Sequence, residues 1–161
     1  MTKFSSKFTF AAAACGAFLF AAAPAIAQSA FTITSTSSGI SVLANGQPVV
    51  GQISGTAGGG KDSGGCGWIS GSPNHTFSVN SNSMVSMKIK VSSPNGQTNT
   101  PYTLMIKNAN DPGANPFCAI AAPGIPAEIG GVWSQAGNYQ IFVGNFESSS
   151  VRDPYVLNIS K

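Results

Sequence analysis

Val85, Met87, Ile89 and Val91 alternate with Ser86, Lys88 and Lys90. A period of two puts the four apolar side chains on one face of an extended strand and the polar ones on the other, which no helix does. The same short period recurs along the chain. Phe31 to Thr34 reads as a first strand, and Phe77 and Val79 stand among polar neighbours. Tyr102 to Lys107, Phe117 to Ala121, Ile129 to Trp133, Tyr139 to Val143 and Tyr155 to Ile159 are runs of strand length. Residues that turn a chain separate them. Asn45-Gly46, between Ile40–Leu43 and Val49–Ile53, tolerates the positive φ angles of a tight hairpin. Pro94-Asn95-Gly96, the proline-rich stretch 108–116, Ala136-Gly137, Val143-Gly144-Asn145 and residues 148–153 supply further breaks. Eight to ten short strands and no helical period after residue 27 predict an all-β domain. Its expected form is an antiparallel β-sandwich of jelly-roll-like type.

Ahead of this domain the pattern changes. Lys3 and Lys7 form a short positive segment, and Phe8 to Ala23 is almost wholly apolar. Pro24 then breaks any helix, and Ala25-Ile26-Ala27 places small residues at a cleavage site before Gln28. This is the layout of a helical signal peptide over residues 1–27. A membrane anchor needs neither the proline nor the small residues. Lipid attachment at Cys15 would end the apolar run, whereas Cys15 sits inside it. The expected location is therefore secreted or periplasmic, with no membrane span after cleavage.

Cleavage also alters the charge. Lys3 and Lys7 leave with the signal, so six of the eight bases remain against five acids, and the whole chain's +3 falls to about +1. No basic patch is left to attract nucleic acid or anionic lipid, so nucleic acid is excluded as a partner. Cys66 and Cys118 are the cysteines of the mature part, and two cysteines in an exported domain most simply form one bridge. Zinc would need four ligands, and His75 is the single histidine. Three regions are expected: N-terminal strands and a hairpin over 28–54, a mobile glycine-rich loop over 55–65, and the sandwich domain over 66–161.

Catalytic patterns are missing. A serine nucleophile needs a base held by a third group. His75 reads as the entry to a strand, with a surface or edge role. Asp62, Asp111, Glu128, Glu147 and Asp153 are scattered, each in or beside a turn, which does not suggest a glycosidase pair. Gly58-Gly59-Gly60-Lys61 lacks the frame of a phosphate loop. Calcium would have Asp111 and Glu128 as its candidate carboxylates, with Asn108 and Asn110 nearby in sequence. Hard cations want more, and turn formation accounts for this loop, so no cofactor is expected. Aromatic residues are the binding candidates, since flat rings stack on sugars or anchor a protein partner. The four singled out are Trp68, Trp133, Tyr139 and Phe142, with core packing as the competing role for the tryptophans. Tyr139 and Phe142 lie three apart, so on one strand they face opposite ways, and one must point outward or be covered.

Certain motifs carry a resemblance. They are Gly65-Cys66-Gly67-Trp68-Ile69, Ser72-Pro73-Asn74-His75-Thr76-Phe77, Asn115-Pro116 with Cys118, Ile129-Gly130-Gly131-Val132-Trp133, and Ala136 to Gly144. With the closing Pro154 to Ile159, they make residues 64–160 resemble the bacterial pre-peptidase C-terminal (PPC) domain, in a cyanobacterial-type subgroup that stands alone behind a signal peptide. Where such relatives carry paired acids after the second cysteine, this chain has Ala119-Ile120-Ala121-Ala122. Any calcium or polar site those acids would build is therefore not implied here. The resemblance implies a secreted β-sandwich module, and such motifs specify fold better than function. The expected function is non-enzymatic binding of a glycan or protein partner at the cell envelope or outside the cell. The alternatives are a structural or self-assembling envelope component that uses sheet-edge pairing, and an enzyme of unrecognised type.

Overall fold

A computed structural model describes residues 29–36, 39–44, 47–48, 52–79, 85–97, 99–133 and 136–160. The expected signal peptide over 1–27 and its cleavage site lie outside the described residues, as do the Asn45-Gly46 turn and Val49, Val50 and Gly51 of the expected hairpin.

All regular structure in the described residues is strand, numbered here in chain order. The larger sheet runs, edge to edge, through β10 (Phe117–Ile120), β9 (Tyr102–Asn108), β12 (Gly137–Asn145), β7 (His75–Val79), β1 (Ser29–Thr36), β2 (Gly39–Ala44) and β3 (Gln47–Pro48). A small hairpin of β5 (Lys61–Asp62) and β6 (Trp68–Ile69) joins it, with Trp68 opposite Asn145 of β12. The second sheet holds β11 (Ala127–Trp133), β8 (Val85–Ser92), β13 (Pro154–Ser160) and β4 (Gln52–Thr56) in that order. Every pairing is antiparallel except β1 with β7, which run parallel from Ser29 opposite His75. From β7 to β13 the chain crosses between the sheets repeatedly, as a sandwich of jelly-roll type requires. Among the described residues no helix is long and apolar enough to cross a membrane.

The alternation of β8 is realised in space. Met87, Ile89 and Val91 are at most 1% exposed, while Ser86 and Lys88 face solvent. Across the gap they meet Phe77 and Val79 of β7, Leu104 and Ile106 of β9, and Ile141 and Val143 of β12. Each such side chain contributes roughly 1.5–3 kcal/mol on burial, so this interlayer is the main source of stability. β9 is buried on both faces, because Met105 points away from the interlayer into a second cluster with Cys66, Ile69 and Phe142. The loop before β6 covers that outer face, and the Cys66–Cys118 disulfide ties it to edge strand β10 across a Cα separation of 5.9 Å.

Within the glycine-rich segment, residues 57–59 depart from the expectation of a mobile loop. Ala57, Gly58 and Gly59 are buried, and they carry the chain from one sheet to the other. Ala57 N–H donates to the Asp153 carbonyl at 2.8 Å and Gly58 N–H to that of Val143 at 3.0 Å. Gly58 adopts a φ of +87°, and a Cβ on Gly59 would overlap the Ile69 carbonyl. Here glycine serves close approach rather than flexibility. The strands ahead of Cys66 also belong to the same two sheets, β1 through β7 and β4 through β13.

Candidate functional site

The open edge of the sandwich lies where β10 and β11 meet the loop 109–116. Proline and Asx turns shape that loop. Asp111 Oδ1 accepts from Gly113 N–H at 3.2 Å, Asn108 Oδ1 from Asn110 N–H at 2.9 Å, and Asn110 Oδ1 from Asn138 N–H at 2.7 Å. The loop is thereby pinned to the start of β12, and Asn108 keeps its amide nitrogen without a hydrogen bond among the described residues.

Four rings run outward from the interlayer to this edge. Phe77 stacks on Tyr139 with centroids 4.9 Å apart. Tyr139 meets Trp133 edge-on at 5.2 Å, and Trp133 meets Phe117 at 5.5 Å. Exposure rises along the series: 1% at Phe77, 4% at Tyr139, 6% at Trp133 and 53% at Phe117. The Trp133 indole N–H donates to the Met87 carbonyl at 3.3 Å, which fixes its plane between β11 and β8. A pocket of about 270 Å³ opens beside this outer end, lined by Phe117, Val132, Trp133, Tyr139, Ala114 and the amides of Asn108 and Asn115. Its size is near the lower bound of roughly 300–1,000 Å³ for small-molecule sites. On the other side of the loop a hollow of about 370 Å³ is bordered by Lys107, Asp111, Pro112, Pro116 and Gln140.

The structure thus brings together two of the four aromatic candidates, Trp133 and Tyr139. Phe142 lies on the opposite face of the larger sheet, 7% exposed in the cluster with Met105, and Lys107 Nζ stands 5.8 Å from its ring centre. The expectation that one of Tyr139 and Phe142 would need separate cover is met by the loop before β6. Trp68 is half-buried in β6 and takes no part in the pocket. Sequence reasoning missed Phe117, which supplies the exposed ring. Its signal was its place between Pro116 and Cys118, at the start of a strand pinned by a bridge.

His75 is not at the surface. It is 3% exposed and faces inward from β7, and its Nε2 shares a 2.6 Å hydrogen bond with the Tyr155 hydroxyl of β13. Burial holds its pKa down at about 4, from an ordinary 6.5, so the imidazole is neutral. Burial likewise pushes the Tyr155 phenol up. Beside this pair, the Asn74 amide donates to the Thr56 carbonyl at 3.0 Å and its oxygen accepts from Val143 N–H at 2.8 Å. These polar groups join the two sheets inside the core.

The candidate calcium residues lie on separate elements. Asp111 caps its own turn, while Glu128 sits in β11 with its carboxylate 3.4 Å from Lys88 Nζ. Among the described residues no group of three or more His, Cys, Asp or Glu side chains converges.

No family model matches the chain, and no curated protein sequence does. Among solved structures, the chain is similar to the pre-peptidase C-terminal domain of collagenase from Bacillus anthracis. The identity is 16% and the TM-score 0.46, with 83% of this chain and 97% of that chain covered.

Proposed function

We propose that the mature chain is an exported, non-enzymatic recognition module that binds a glycan in the pocket at the β10–β11 edge. The carrying observation is the row of rings whose outermost member, Phe117, is 53% exposed beside the Asn108 and Asn115 amides. An exposed ring backed by buried ones presents a rigid apolar face, and amides at its rim offer both donors and acceptors to hydroxyl groups. The signal-peptide layout of residues 1–27 and the Cys66–Cys118 bridge support export. The motif resemblance to PPC domains agrees with a module of this kind. The non-enzymatic part of the reading rests on His75, whose burial against Tyr155 keeps it from any solvent-borne substrate.

A glycan array followed by calorimetry tests this reading. Wild-type protein should bind at least one glycan, and Phe117→Ala should weaken that binding by about tenfold or more, the scale of one lost stacking contact. The fold should persist in the variant because the ring is half-exposed. A protein that binds no glycan, or a Phe117→Ala variant with unchanged affinity, would sink the proposal.

One observation favours a second reading, a self-assembling envelope component. β10 and β11 are sheet edges, and Ile120, Ile125 and Val132 on and between them are 42%, 63% and 61% exposed. Edges with apolar side chains invite pairing with another chain. Concentration-dependent oligomers on sizing, disrupted by Val132→Lys, would select this reading.

A further inference from the structure

Resting on the glycan reading above, we infer that the bound sugar is uncharged.

The pocket lining carries no charge. Asn108 and Asn115 are amides, and burial raises the Tyr139 phenol pKa, so it stays protonated. The charged groups of this end, Lys107 and Asp111, border the hollow across the loop. A charge brought into the pocket would lose water and gain no ionic partner there. A neutral pyranose instead offers C–H faces to Phe117 and hydroxyls to the amides.

Calorimetry on the mature protein should use cellotriose, maltotriose, chitotriose and mannotriose, with trigalacturonate as the charged arm. At least one neutral trisaccharide should bind, and trigalacturonate should bind about tenfold more weakly or worse. Trigalacturonate preferred over every neutral sugar, with binding lost in Phe117→Ala, would leave the glycan site standing and overturn this inference. No binding to any of the sugars overturns both readings.

Discussion

His75 and Tyr155 come from different sheets and meet at 2.6 Å in the interior, so their protonation is part of folding. In the unfolded chain His75 takes up a proton near pH 6.5, whereas in the fold burial holds it neutral down to about 4. Between those values the unfolded state binds more protons. The histidine's stability contribution is therefore complete above pH 6.5 and is lost as pH falls toward 4. The total loss amounts to about 3 kcal/mol. Urea unfolding from pH 7.5 to 3.5 should show this fall in wild type, and His75→Gln should flatten the part between 6.5 and 4. Identical pH slopes in the two proteins would contradict it. The sequence told little of this. Asn74-His75-Thr76 announces where β7 begins, but a strand's first residue is inward or outward according to its register, and register depends on partners far along the chain. Trp133 and Tyr139 stood out as aromatics for the same local reason. Their meeting with Phe117 depends on non-local packing, which no spacing reveals.

The long alternating strands are the elements that local pattern predicts best. β8, β9 and β12 appear where Val85–Val91, Tyr102–Lys107 and Tyr139–Val143 place them, because one buried face imposes a period of two. β5 and β6 went unread, since two residues carry no period. The parallel β1–β7 pair is equally silent, because pairing direction follows from topology. Gly55, Gly58 and Gly59 misled for a physical reason: the composition of a flexible linker and of a close-packed crossing is the same. The bridge is the other device at this scale. It anchors the loop before β6 to β10, the strand that carries Phe117. Native protein should show no reactive thiols. Reduction should lower the melting temperature by roughly 10–15 °C, from about 4 kcal/mol of denatured-state entropy for a separation of 52 residues. Hydrogen exchange should then rise first in β10 and the β5–β6 hairpin, with β8 and β12 still protected. Equal loss of protection in β8 and β10 would show that the bridge holds the whole domain and not this edge.

At the scale of the whole molecule, two layers close on one apolar interior, and the charged side chains stay outside it. With Asp111 committed to its own turn and Glu128 beside Lys88, millimolar calcium should leave the melting temperature of wild type and of Asp111→Ala unchanged. A calcium-dependent rise in wild type, abolished by Asp111→Ala, would reveal a site these positions do not suggest. The covalent tie has a mechanical side as well. Residues 66–118 include all of β7, β8 and β9, strands drawn from both sheets. A pull on the two ends of the chain cannot lengthen that span while the sulfurs are joined. About 180 Å of contour is withheld from extension. β6, β7 and β9 of one layer and β8 of the other thus lie inside a closed loop that force on the termini passes by.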